Sequence, residues 1–148
     1  MTKVCIFGAG AIGGYIAACL SKTNVELSLI ARGAHKKAIE KKGLTFIKDE
    51  KTENLKLTVT DDPKTLDVQD YIFISVKAHS ISNIVDSLNS IIDEQTSIIS
   101  TVNGLPWWYF HKANTGTNLD DTFLESVDPA GKIWKTIKPQ QAIGCVVY

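Results

Sequence analysis

The sequence predicts an α/β chain whose mostly parallel sheet is doubly wound, with helices on both faces. Three observations carry that expectation. Short apolar runs recur along the chain, and most are apolar at every position, as strands buried on both faces are. Helix-permissive stretches alternate with them. The first run also stops at a glycine and passes directly into "GAGAIGG", the pattern of a tight strand-to-helix junction.

Taken in order, Lys3–Phe7 (KVCIF) reads as a buried strand and Ala11–Ser21 as a helix with small residues near its start. Val25–Ile30 reads as a second strand, and the Lys-rich stretch Ala34–Lys42 as a solvated helix. Leu44–Ile47 and Leu55–Val59 alternate apolar and polar residues, which predicts an antiparallel hairpin joined by the charged "KDEKTEN". Asp61-Asp62-Pro63 predicts a turn into a short helix, and Tyr71–Val76 an apolar strand. Ile81, Ile84, Val85, Leu88, Ile91 and Ile92 recur at helical spacing. Ser97–Val102 is the next strand, cut by Asn103-Gly104; an irregular aromatic segment follows, and Gln141–Tyr148 is the last strand.

At 148 residues there is chain for one domain with an ordinary core. Lys+Arg and Asp+Glu are 16 each, so the net charge is zero, which argues against nucleic acid or an anionic membrane surface as main partner. No apolar stretch reaches transmembrane length, and the start lacks the pattern of a signal peptide. Cys5, Cys19 and Cys145 are scattered, so reduced thiols in a cytoplasmic protein are expected. His35, His79 and His111 share no ligand spacing with each other or with the cysteines, and no metal site is expected.

Gly8, Gly10 and Gly13 satisfy G-x-G-x-x-G in the context that gives the motif meaning, with Ala9, Ala11 and Ile12 completing the loop. Gly8 permits the turn, Gly10 lets backbone approach a pyrophosphate, and Gly13 lets helix and strand pack closely. The helix N-terminus then presents free N–H groups to the phosphates. This predicts a Rossmann-like, dinucleotide-binding domain, against the plainer alternative of a glycine-rich turn that binds nothing. An NAD site usually carries an acidic residue at the end of the second strand. Glu26 lies too early for that role, and Arg32 stands in the useful place. A guanidinium there pairs with a 2′-phosphate for roughly 1.5–3 kcal/mol, about ten- to a hundredfold in affinity. NADP(H) is therefore expected over NAD(H), the alternative being a solvated arginine at the start of a basic helix.

"GAGAIGG", then "SVKAH" after an apolar strand, then "VNGLP" after the next, together resemble the ketopantoate reductase (2-dehydropantoate 2-reductase) family. The resemblance spans essentially the whole chain. It implies reduction of ketopantoate to pantoate with NADPH, on the route to pantothenate and coenzyme A. It also implies a Rossmann-like first domain and a second, all-helical domain that closes over the active site. By the same resemblance Gly8–Gly13 is the pyrophosphate loop, Arg32 the residue favouring NADPH, Lys77 a cofactor contact, and Asn103 a residue near the nicotinamide ribose and the substrate. Lys77 and Asn103 each directly follow an apolar strand, where ligands of open α/β sheets bind. Singly, they also read as a loop lysine and a turn.

Val102 departs from the glutamine common in the family, and the segment between Leu105 and Gln140 resembles a bacterial subgroup whose substrate need not be ketopantoate. Trp107, Trp108, Tyr109 and Phe110 cannot all face one core, so contact with a second domain or a partner chain, as in a homodimer, is expected of some. The resemblance places the proton-donating lysine in the helical domain, and no residue here matches it. The expectation is thus a cofactor-binding domain over residues 1–148, with no catalytic residue of its own and the donor beyond residue 148. A stand-alone dinucleotide-binding or scaffold module, or a family member acting on another keto acid, are the alternatives.

Overall fold

The computed structural model describes residues 1–148. Eight strands and four helices form, in order β1 (Lys3–Phe7), α1 (Ala11–Leu20), β2 (Glu26–Ile30), α2 (Gly33–Lys42), β3 (Leu44–Lys48), β4 (Lys51–Leu55), β5 (Thr58–Thr60), β6 (Tyr71–Ile74), α3 (Ile81–Leu88), β7 (Ser97–Ser100), α4 (Lys132–Thr136) and β8 (Ala142–Gly144). Six strands make one sheet in the order β5-β2-β1-β6-β7-β8, every pair parallel. This is the doubly wound arrangement of a Rossmann-like sheet, which reverses direction of travel between β1 and β6.

Alternate residues of the central strands feed two cores. Cys5 and Phe7 of β1 join Ile72 and Ile74 of β6 on one face, beneath the α3 residues Ile81, Ile84, Val85 and Leu88. Val4 and Ile6 join Leu27 and Leu29 of β2 on the other, beneath Ala17 of α1 and Ile39 of α2. A strand buried on both sides needs apolar residues at every position, which is why these runs do not alternate. Each fully buried Leu or Ile contributes on the order of 1.5–3 kcal/mol. Cys5 is completely enclosed, and burial pushes its thiol up to about 12. No helix is long and apolar enough to cross a membrane.

Four expected elements differ. The hairpin pairs β3 with Lys51–Leu55 in the register Leu44↔Leu55, while Thr58–Thr60 leaves it to join β2 in the main sheet. Asp49 and Glu50 both take positive φ, 49° and 62°, so a two-residue turn replaces the expected seven-residue loop. Helix α3 ends at Leu88 rather than Ile92, because Gln69 N–H donates to the Ile91 carbonyl (2.9 Å) and draws the chain away. The last strand covers Ala142–Gly144 rather than Gln141–Tyr148, and it lies at the sheet edge. Cys145 therefore follows a strand rather than sitting in one, half-buried. Trp107 belongs to the core and Trp108 packs on it edge to face, so this half of the aromatic run is internal.

Candidate functional site

The glycine loop is built by steric necessity. Gly8, with φ +113°, lies so close to β6 that a Cβ there would meet the Ser75 backbone at 3.0 Å. A Cβ on Gly13 would sit 1.9 Å from the Gly8 carbonyl oxygen, so this glycine is what lets α1 pack on the loop. Gly10 is different: a Cβ there would meet nothing within 4 Å. Structure does not require that glycine, and the space beside it is a cradle that a side chain would fill. Gly10 is also the N-cap of α1, whose first hydrogen bond runs from Gly14 N–H to the Gly10 carbonyl (2.7 Å). The N–H groups before it have no acceptor within the helix, and no acidic residue stands in the first turn to occupy them. Anion binding is what this terminus can do.

The parallel sheet carries the ends of β1, β2, β6 and β7 to one edge. There Gly8, Gly10, Ala11, Ile12, Arg32, Lys77 and Asn103 line a single cleft of about 700 Å³. Ala9 lines an adjoining hollow of about 380 Å³, shared with Gly8, Gly10, Ala11 and Arg32. Gly13 lies under the loop rather than on the cleft wall.

Arg32 caps α2 with extended backbone, and it is exposed, without an ion pair or side-chain hydrogen bond. One turn on, Lys36 is engaged by Asp61 (2.8 Å) and Glu40 (3.4 Å). The hydrogen bond that Lys36 Nζ donates to the Asp61 carboxylate raises the Lys36 pKa, and the same bond holds the Asp61 carboxyl low. The cation that faces the cleft is thus the unpaired one. Lys77 is likewise exposed and unpaired, at the start of a short 3-10 turn (Ala78–Ser80).

Asn103 is committed within the chain. Its Nδ2 donates to the Val147 carbonyl (2.7 Å), and its Oδ1 accepts from Val147 N–H (3.0 Å). The amide acts as one rung of a ladder beyond β8, leaving one N–H and one lone pair for anything else. Among the other lining residues, sequence reading gave no role in the cleft to Ser75, His79, Thr101 and Val147. Ser75 and Thr101 hydroxyls lie 3.0 Å apart, and Thr101 also donates to the Ile74 carbonyl (2.9 Å), pinning the ends of β6 and β7 together. A polar residue closing an apolar strand run was the available signal for both. No acidic residue lines the cleft, so its electrostatics suit an anionic ligand.

The chain matches the family described as Ketopantoate reductase PanE/ApbA over residues 4–106. It is 44% identical, over 99% of its length and 44% of the relative's, to 2-dehydropantoate 2-reductase of Mesorhizobium japonicum. A crystal structure from Ralstonia solanacearum MolK2, provisionally named a ketopantoate reductase, is similar over 100% of this chain and 45% of that one, with 34% identity and a TM-score of 0.90. D-mandelate dehydrogenase with NADH and anilino(oxo)acetate matches at 22% identity over 97% of this chain and 40% of that one, with a TM-score of 0.73, a likeness of fold. This chain therefore spans less than half the length of these relatives.

Proposed function

The chain belongs to the ketopantoate reductase family, and from that premise we propose that it is the NADPH-binding domain of an oxidoreductase that reduces a 2-keto acid, with ketopantoate the first candidate. The convergence of the glycine loop, unpaired Arg32, unpaired Lys77 and Asn103 on one acid-free cleft carries this reading. The residues fit the cofactor: a Cβ at Gly10 would meet nothing within 4 Å, so the backbone of the loop stands open to a pyrophosphate. When bound, the nicotinamide supplies the hydride. The N–H groups at the start of α1 would hold the pyrophosphate, and Arg32 would pair with the 2′-phosphate. Lys77 adds positive charge between the ends of β1 and β7. The Ser75–Thr101 pair keeps the cleft floor rigid, and the Asn103 amide fixes the Val147 backbone beside it.

Protonation of the substrate carbonyl oxygen requires a donor, and we assign it to a helical domain outside these residues, against which the exposed Tyr109 would pack. The dinucleotide is the finer question, since NADH is named for the D-mandelate dehydrogenase structure. Arg32→Glu tests it: NADPH affinity of the 148-residue chain should fall about ten- to a hundredfold, with NADH affinity unchanged. Titration of both cofactors by fluorescence reads this, and equal NADPH affinity in the variant would sink the assignment.

A further inference from the structure

The floor of the cleft holds a directed chain of hydroxyls, and we propose that Ser75 uses it to accept a hydrogen bond from a hydroxyl of the ribose on the nicotinamide side of the pyrophosphate. This rests on the reading that the cleft holds the dinucleotide. Thr101 Oγ1 lies 2.9 Å from the Ile74 carbonyl oxygen and 3.0 Å from Ser75 Oγ. A carbonyl can only accept, so the Thr101 proton goes to Ile74. A hydroxyl carries one proton, so the contact with Ser75 is a hydrogen bond only when Ser75 donates it. Both contacts are satisfied in a single direction, from Ser75 to Thr101 to Ile74. Thr101 is buried, whereas Ser75 is half-buried and lines the cleft. Ser75 therefore presents lone pairs to a ligand and no proton.

An acceptor of this kind suits a donating group and disfavours a phosphate oxygen, which only accepts. The strand order decides which donor it meets. Strands β2, β1 and β6 are neighbours in that order, each about 4.8 Å from the next. Arg32 stands beyond the end of β2, the glycine loop follows β1, and Ser75 follows β6. A dinucleotide with its 2′-phosphate at Arg32 and its pyrophosphate at the loop has its second ribose next in line. Ser75 is also held against that loop, since a Cβ on Gly8 would meet the Ser75 backbone at 3.0 Å. Asn103 lines the same cleft and keeps one N–H, so the sugar meets a donor as well as an acceptor.

Holding the strands together does not by itself call for these side chains. Ser75 N–H donates to the Phe7 carbonyl (2.9 Å) and Thr101 N–H to the Ile74 carbonyl (3.1 Å), so backbone already ties β6 to β1 and to β7. What the hydroxyls add is direction. A hydroxyl that donates its own proton is polarised into a better acceptor, and the fixed Ile74 carbonyl sets the sense of the whole chain.

The test titrates the 148-residue chain calorimetrically with NADPH, with 2′-phospho-ADP-ribose, which lacks the nicotinamide, and with 2′-phosphoadenosine 5′-diphosphate, which ends before the second ribose. Ser75→Ala should weaken the first two about three- to tenfold, the worth of one neutral hydrogen bond. It should leave the third unchanged, which also shows that the variant is folded. Ser75→Thr keeps the hydroxyl and should restore the wild-type affinities. Thr101→Val removes the acceptor of the Ser75 proton and should weaken the same two ligands. The double variant Ser75→Ala/Thr101→Val should lose no more than the worse of the single ones, because the two hydroxyls act as one chain. An equal loss for the truncated ligand, no loss for 2′-phospho-ADP-ribose, no recovery in Ser75→Thr, or losses that add in the double variant overturns the proposal. Any of these with NADPH still bound by the wild-type chain defeats the Ser75 contact alone. A wild-type chain that binds none of the three ligands sinks the dinucleotide reading and the contact with it.

Discussion

The sheet and the segment after it are held by different means. In β1, β2, β6 and β7, order comes from parallel backbone ladders whose strands are buried on both faces. Between Val102 and Gln141 there is no ladder, and aspartates do the equivalent work. Asp128, fully buried, accepts from Ile133 N–H (2.7 Å) and Trp134 N–H (2.8 Å), capping α4 from outside the helix. Asp120 accepts from the Thr115 hydroxyl (2.7 Å) and from Thr115 and Gly116 N–H (each 2.9 Å), while Asp121 accepts from Lys112 N–H and bonds His111 Nδ1 (each 3.0 Å). A ladder spreads its stability over many equivalent bonds, whereas a carboxylate knot concentrates it in one side chain.

That contrast breaks most visibly at Asp128. Asp128→Ala removes two charge-assisted acceptors and strands two N–H groups, so a loss of about 3 kcal/mol is expected in urea unfolding. A loss under about 1 kcal/mol would mean that water replaces the carboxylate. The glycine loop supplies the counterpart within the ladder half. Gly13→Ala forces a clash with the Gly8 carbonyl and should cost roughly 2–3 kcal/mol. Gly10→Ala, at φ −71° and with open space around it, should raise stability by about 0.5 kcal/mol yet weaken NADPH at least tenfold. Parallel thermal melts and cofactor titrations separate the two, and a Gly10→Ala chain that still binds NADPH normally would place the pyrophosphate elsewhere.

The smallest effect is acid loosening of the segment. Backbone N–H of Lys112 holds the Asp121 carboxyl below its ordinary value, and the Thr115 hydroxyl does the same for Asp120. Because the folded-state values are lowered, their contribution is complete above the ordinary aspartate value of about 3.9 and is lost as pH falls through the lowered values. Asp121 is exposed and Asp120 partly so, and the effect is local. Hydrogen exchange should accelerate in residues 111–122 below about pH 4 while the central strands stay protected; uniform acceleration would show that segment and sheet open as one.

The same division explains what was legible. Strands β1, β2, β6 and β7 were readable because burial on two faces demands unbroken apolar runs, and α3 because its buried face repeats at helical spacing. The glycine, arginine, lysine and asparagine positions were readable because a parallel sheet brings every strand end to one edge. Strand β4 was not, since its residues are mostly exposed and polar. It is set by the Asp49-Glu50 turn, by Thr45 Oγ1 donating to Asn54 Oδ1 (2.9 Å), and by the Lys22–Glu53 ion pair (2.9 Å), none of which leaves a period. Helix α4, five residues long, was invisible because it depends on Asp128 rather than on its own sequence.

The enclosed thiol of Cys5 has a practical consequence. With its pKa raised to about 12, on the order of one molecule in 10⁵ carries the thiolate at neutral pH, and even that one is out of reach of any reagent. Alkylation of Cys5 can therefore proceed only through opening of the sheet, while exposed Cys19 reacts from the folded state. The ratio of the two labelling rates is a built-in clock for how often the nucleotide-binding sheet comes apart, and any ligand that binds the closed sheet will slow it.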